Sequence, residues 1–304
     1  MNRRETCRLA GWLGALLLTT SPAAAQDLEP RAYTPAPVGT SFVLIGFGRS
    51  EGGVVLDSAI DIDNVKADIS FTAAGIGYTF DLAGRQARVL AVLPVAWGEM
   101  TGEVGGGVRS RELEGLVDPR FKLSVGLVGA SALRPEQFAK APRGTFVGAS
   151  LTVMPPLGQY DSERLVNLGF NRWAFKPEVG FSRPAGRFTL EGSAGVWLFT
   201  TNHEYYPGRS ERRQDPVVAV QGHVSYSLPR HAWLALNGTW FTGGDTEVNG
   251  VANSDRQSNV RLGTTLSLPI TRRQSIKFVY STGASTRRGS DFDTFILTWQ
   301  RVWF

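Results

Sequence analysis

The sequence has almost no cysteine, histidine or methionine: one Cys, three His and three Met in 304 residues. A single cysteine, Cys7, excludes a disulfide scaffold. His203, His223 and His231 show no metal-ligand spacing with one another or with acidic residues, so neither a metal nor any other cofactor is expected. Long apolar runs are missing as well. Beyond the first 25 residues the longest is Val89 to Trp97, and Pro94 interrupts it. A membrane-spanning helix needs roughly 18 apolar residues, which excludes a helical membrane protein. The glycine clusters Gly102 to Gly107 and Gly46-Phe47-Gly48 lack a Gly-Lys-Ser/Thr continuation or a following helix, so no phosphate cradle is expected. What is abundant also excludes something: 8 Trp, 17 Phe and 42% hydrophobic residues are incompatible with a disordered chain.

Residues 1–25 read as an export signal. Arg3, Arg4 and Arg8 form a basic start, Leu9 to Thr20 a short apolar core, and Ala23-Ala24-Ala25 a small-residue cleavage site before Gln26. Cys7 precedes the apolar core, so it is not a lipidation site, and the mature chain holds no cysteine. Removing Arg3, Arg4, Arg8 and Glu5 takes two charges from the formal +5 and leaves +3. The pI near 9.5 then reflects arginine-rich loops, and no nucleic-acid partner is expected.

The dominant period is two. Val260, Leu262, Thr264, Leu266, Leu268 and Ile270 alternate with Asn259, Arg261, Gly263, Thr265 and Ser267. The same alternation sets Val218, Val220, Val224 and Tyr226 against Gln221, His223 and Ser225, and Phe121, Leu123 and Leu127 against Arg120, Lys122 and Ser124. Each run has one oily face and one wet face. The chain reads as all-β. Twelve strands are expected near 41–50, 66–80, 86–99, 114–127, 144–154, 172–182, 187–200, 216–228, 231–242, 257–269, 273–284 and 291–304. Tight connections (Asp81 to Arg85, Arg183 to Gly186, Pro229-Arg230, Ile270 to Arg272) alternate with long polar ones (Glu51 to Val65, Pro155 to Asn171, Thr201 to Asp215, Gly243 to Arg256). This asymmetry, with an even strand number, is that of a closed antiparallel transmembrane β-barrel with short periplasmic turns and longer extracellular loops. Gly129 to Arg143 breaks the rule, being long on the short-turn side, and is expected to hold a small periplasmic helix.

Aromatics near strand ends, Trp97, Trp173, Phe199, Trp240, Trp299 and Trp303, suit interfacial girdles. Phe304 follows Val302 and Trp303 as a terminal aromatic strand, the expected assembly signal for the barrel-assembly machinery. The expected organisation is a 1–25 signal, a 26–40 proline-rich periplasmic lead-in, and a 41–304 barrel in the bacterial outer membrane. Two soluble β-sandwich domains are the alternative architecture, but no linker divides the series.

If the oily face meets lipid, its polar partners point into the lumen: Arg88, Arg120, Lys122, Lys176, Glu178, Glu191, His223, Arg261 and Lys277. They either fill and rigidify a narrow barrel or line a solute-selective pore, since 12 strands fall between the filled barrels of ~8 and the channels of 16–18. Arg209, Arg212, Arg213, Arg287 and Arg288 sit in the long loops, where they either pair with lipopolysaccharide phosphates or are simply solvated. His223 and Ser225 share a strand face, the inward one, whereas a lipid hydrolase would need them outward. The chain is therefore not expected to be an enzyme.

Asp27 to Tyr33, Ala36 to Gly39, Pro156 to Asp161, Asn171 to Glu178, Gln221 to Tyr226, Asp255 to Asn259 and Gly289 to Asp293 together resemble the outer-membrane transporter family named for the MetA pathway of phenol degradation. The resemblance covers nearly the whole mature chain. It implies an outer-membrane protein that admits phenolic or other hydrophobic aromatic compounds by passive passage. The alternative is a non-conducting structural or adhesive barrel whose loops bind lipopolysaccharide or a partner.

Overall fold

The computed structural model describes residues 28–55 and 62–304; the export signal, Gln26 and Cys7 lie outside the described residues. The strands are β1 (Ser41–Val55), β2 (Ile62–Leu82), β3 (Arg85–Val104), β4 (Gly107–Leu116), β5 (Arg120–Val128), β6 (Phe146–Met154), β7 (Ala174–Ala185), β8 (Phe188–Phe199), β9 (Asn202–Tyr205), β10 (Ser210–Gln214), β11 (Val217–Ser227), β12 (Trp233–Gly243), β13 (Thr246–Val248), β14 (Val251–Ala252), β15 (Gln257–Thr271), β16 (Gln274–Ser285) and β17 (Gly289–Trp303). All main-sheet pairs are antiparallel, each strand with its neighbours along the chain. β1 closes the ring against β17, with Ser41 opposite Trp303 and Val55 opposite Gly289. β4 and β5 both pair with β3 and form one crossing, interrupted at Val117-Asp118-Pro119, so the closed barrel has 12 strands. Pro119 has no amide hydrogen to give to a ladder, which suits a strand break.

The tight periplasmic turns follow from local chemistry. Between β2 and β3, Ala83 and Gly84 have φ of 52° and 80°, the two positive values of a type I′ hairpin turn, whose twist matches the flanking strands. The long Gly129 to Arg143 connection carries a one-turn helix, α1 (Pro135–Phe138), as its length suggested. On the extracellular side two expectations change. The glycine-rich 102–107 stretch is a two-residue turn at Gly105-Gly106, because β3 and β4 run well past the expected strand ends. The Thr201–Asp215 and Gly243–Arg256 segments, expected as loops, hold β9, β10, β13 and β14, which build a separate four-stranded sheet in the order β14-β13-β10-β9.

Alternation of burial confirms the assignment of faces. Along β11, Val217, Ala219, Gln221, His223 and Ser225 are buried inside while Val218, Val220 and Val224 are exposed outside. Ile76, Leu236, Leu262 and Leu297 extend the outer apolar band around the ring. In a soluble protein this area would be a large exposed apolar surface; around a closed barrel it is the lipid contact. The described residues contain no helix long and apolar enough to cross a membrane. Trp97, Trp173, Trp240 and Trp303 face outward. Phe199 does not belong to the girdle: it lies in the inward register of β8 and stacks on the buried Trp197 at 6.5 Å. Leu236, 62% exposed and near the middle of β12, tests the lipid face. A Leu236→Arg substitution is expected to destabilise the barrel by roughly 2–4 kcal/mol, read from urea unfolding in lipid vesicles, whereas Gln221→Arg, inward, should cost much less.

Candidate functional site: a plugged lumen beneath an aromatic mouth

The 26–40 stretch was expected to lie extended in the periplasm, but its described residues, 28–40, fold up into the barrel. At the periplasmic end the amide of Gly39 donates to the Thr79 carbonyl at 2.7 Å and that of Val38 to the Leu133 carbonyl at 2.9 Å. Higher up, the amide of Ala36 donates to Gln86 Oε1 at 2.9 Å and the Arg88 guanidinium donates to the Thr34 carbonyl at 3.2 Å. The Tyr33 hydroxyl donates to Glu178 Oε1 at 2.9 Å and lies 3.0 Å from Ser150 Oγ. Arg31 gives its amide to Glu191 Oε2 at 2.7 Å and stacks its guanidinium over Trp233 at 4.4 Å. Glu29 pairs with Lys122 at 2.6 Å. Sequence reasoning missed this because a proline-bearing segment without alternation carries no sign of what it packs on. Polar backbone inside an oily core would be costly; here the lumen wall supplies the partners.

Glycine makes the room. A Cβ on Gly180 would stand 2.3 Å from the Tyr33 ring, so the ring lies directly on the β7 backbone. Below it, Tyr33, Ala130 and Phe146 form a small apolar anchor.

All eight lumen candidates, Arg120, Lys122, Lys176, Glu178, Glu191, His223, Arg261 and Lys277, fall in the inward register of their strands, as does Arg88. The structure divides them. Lys122, Lys176 and Glu178 form one cluster, with Glu178 at 2.6 Å from Lys176 and 3.7 Å from Lys122. Glu191 holds the plug. His223 is bonded to Asn237 at 2.9 Å, which passes the chain of bonds to Thr265. Arg261 donates to the Phe292 carbonyl at 2.7 Å, near the opposite mouth. Ser225 is fully buried inside and His223 beside it, so neither faces lipid. Beside Tyr33, a residual cavity of about 10 Å³ lined by Glu29, Glu191 and His223 holds at most one water. The 28–40 segment occupies the lumen at that level.

The Glu29 carboxyl has a titratable role. Lys122 first, then Lys176 and His223, hold it down at about 2, against the opposing effect of burial. A depressed carboxyl contributes its docking energy fully above the ordinary value of 4.5 and loses it as pH falls through about 2. Plug release, read as opening events in bilayer recordings, is therefore expected to rise as pH is lowered from 4.5 towards 2. Glu29→Gln should flatten that dependence.

Above the plug the lumen changes character. Val54, Val65, Met100, Leu113 and Phe292 gather inside the mouth with Val166 and Leu168, which the 155–173 connection folds inward. Asp118 anchors that connection: its Oδ1 accepts the Gly158 amide at 2.7 Å and its Oδ2 the Phe170 amide at 2.8 Å. A second cluster joins Met154, Trp197, Val217, Ala219 and Phe241 with Phe170 and Phe199. The alternation rule assigned the inward face to polar residues; at the mouth it is apolar and aromatic instead.

Of the loop arginines, Arg213 is exposed and pairs with Glu211 at 3.3 Å, and Arg288 donates to the Arg287 carbonyl at 3.2 Å. Arg209 carries no ion pair among the described residues. Arg212 corrects the expectation of a lipopolysaccharide contact: it is 6% exposed, pointing inward beneath the four-stranded sheet with its guanidinium 5.4 Å from the Tyr205 ring. On β10, Ser210, Arg212 and Gln214 take the buried register and Arg213 the exposed one. Phe304 ends the chain one residue past β17 and is exposed.

A closed 12-stranded barrel with an oily outer band defines a membrane-spanning β-barrel of the bacterial outer membrane. The family model described as "Putative MetA-pathway of phenol degradation" matches residues 46–299, and the chain belongs to that family. Among solved structures, the COG4313 outer membrane channel from Pseudomonas putida F1 is similar at 16% identity and a TM-score of 0.75, over 91% of this chain and 100% of that one. The transport unit of the autotransporter AIDA-I from Escherichia coli aligns over 98% of this chain and 96% of its own at 12% identity, with a TM-score of 0.49. The first likeness shows the fold. No protein of curated function matches the sequence.

Proposed function

We propose that the protein is a passive outer-membrane channel for small, apolar and especially aromatic solutes, opened when the 28–40 segment leaves its seat. The observation that carries this reading is the apolar and aromatic lining of the mouth, Trp197, Phe199, Phe170 and Phe241 on one side and Met100, Leu113 and Phe292 on the other, above a charged belt. These side chains form two buried apolar clusters high in the lumen, not a solvated rim. Transport explains them, since they give an aromatic solute a foothold before the plug. The family's association with phenol degradation supports an aromatic cargo. No catalytic step is required, and the inward His223 and Ser225 serve as lumen polar groups. Small-molecule solute, outer-membrane lipid and the barrel-assembly machinery, through Phe304, are the partners in this reading. Recordings of the purified protein in planar bilayers, together with uptake of labelled aromatic compounds by a deletion strain, test it. Discrete conductance and slowed uptake are expected. No conductance and unchanged uptake would leave the rival, a non-conducting barrel that uses Arg209, Arg213, Arg287 and Arg288 to bind lipopolysaccharide.

A further inference from the structure

Two guanidiniums are buried together under the extracellular sheet without an acid to match them. Arg172, just before β7, is 5% exposed and Arg212, on β10, is 6% exposed. Arg172 donates to the Gln214 side chain. Gln214 stands two residues beyond Arg212 on the same face of β10, about 7 Å along the strand, which sets the two guanidiniums side by side. The arrangement is held from both ends. Asn202 on β9 donates to the Phe170 carbonyl at 3.3 Å and accepts from Asn171 at 3.1 Å, tying the 170–172 backbone to the sheet that carries Arg212.

The donors of this cluster exceed its acceptors. Arg172 Nη1, Arg212 Nε and Nη2, Trp197 Nε1 and the Tyr205 hydroxyl are all buried without a hydrogen-bond partner. The two acids within electrostatic range are already occupied. Asp118 accepts two backbone amides, and Asp255 accepts the amide and hydroxyl of Thr246 at 2.8 and 2.6 Å. Burial, and for Arg172 the neighbouring Arg212 charge, push both guanidiniums down from their ordinary basicity. Buried polar groups are ordinarily satisfied, and several unsatisfied donors around two cations favour an acceptor of negative charge. The surroundings specify the rest of that acceptor. Arg172 lies 4.3 Å over the Phe199 ring and 6.0 Å from Phe170, and Trp197 stacks on Phe199. Asp118 and Asp255 lie within electrostatic range but spend their oxygens on Gly158, Phe170 and Thr246 and form no ion pair with either guanidinium, so the unsatisfied donors suit a singly charged carboxylate. A doubly charged, strongly hydrated phosphate is the poorer match among aromatic rings.

We propose that Arg172 and Arg212 seat the carboxylate of an aromatic acid, whose ring lies against Phe199 and Trp197, at the extracellular mouth. This deepens the channel reading by naming the charge its aromatic cargo carries, and it rests on that reading only for the direction of travel. The site is tested by calorimetric titration of the purified full-length protein in detergent at neutral pH with benzoate, with the neutral benzyl alcohol, and with inorganic phosphate. Saturable benzoate binding is expected, much stronger than that of the other two. Arg212→Met should weaken it by about tenfold or more, the value of a charge-assisted hydrogen bond. Trp197→Phe, which keeps the ring and loses one donor, should weaken it less. The mobility of the folded barrel on unheated gels checks that each variant is intact. Benzoate bound no better than benzyl alcohol, or bound equally after both substitutions, overturns the site. Phosphate binding at equal strength overturns the carboxylate and points to a phosphate, free or on a lipid. Arginine-dependent benzoate binding without conductance leaves the site standing and sinks the channel; conductance without benzoate binding does the reverse.

Discussion

Deleting residues 28–37 from the mature chain, so that β1 still starts at Ser41, is expected to raise single-channel conductance several-fold over the intact protein. The segment sits in the lumen at the charged belt, where Tyr33 meets Glu178 and Glu29 meets Lys122. A barrel of 12 strands is wider than the ~8-stranded barrels that side chains alone fill, so emptying it exposes an aqueous core. The barrel itself should survive, because the deleted residues contribute no strand to the ring. Gly180→Ala should act in the same direction but more weakly, by pushing the Tyr33 ring off the β7 backbone. Unchanged conductance in the deletion would mean that wall side chains, not the plug, close the lumen.

Glu178→Ala is expected to destabilise the folded barrel by about 3–5 kcal/mol, the usual consequence of removing one partner from a buried charge group. Glu178 balances Lys176 at 2.6 Å and Lys122 at 3.7 Å, with side-chain exposures of 4, 9 and 14%. Removing it leaves Lys176 buried without its acid, while Lys122 keeps Glu29, and also takes the carboxylate acceptor from the Tyr33 hydroxyl. Urea unfolding in vesicles, followed by tryptophan fluorescence, reads the stability. Replacing Lys176 and Glu178 together by Met and Gln should recover much of the loss, because the unpaired charge disappears with its partner. A single-variant effect below about 1 kcal/mol, the worth of a solvated pair, would show that the lumen is wetter than its geometry indicates.

The barrel was legible in the sequence because its code is local. Lipid outside and polar atoms inside impose a period of two on every crossing, and runs such as Val218 to Tyr226 or Val260 to Ile270 state it without ambiguity. The inward positions of Lys176, Glu178 and His223 followed from the same rule. What it concealed was decided by distant contacts. Tyr33 meets Glu178 across 145 residues, and nothing in the composition of 28–40 points to that meeting. Short charged strands such as Ser210–Gln214 have no oily face, so Arg212 read as a solvated loop residue until its pairing with β9 and β13 placed it. Phe241 and Phe292, aromatic but inward, violate the lipid rule where the wall has risen towards the mouth and a different neighbour is available.

The closing seam joins Ser41 to Trp303, two ends of the chain that meet only after everything between them has been laid down. The groups that hydrogen-bond or ion-pair with Tyr33, Arg31 and Glu29 are found on β5, β6, β7 and β8, neighbours in an uninterrupted run of hairpins; the Trp233 ring under Arg31 follows later, on β12. The stopper can thus settle onto a half-built, still curling sheet and be enclosed afterwards, instead of threading a finished cylinder. In refolding experiments, cross-linking of position 33 to position 150 should accordingly precede the gel shift that marks ring closure.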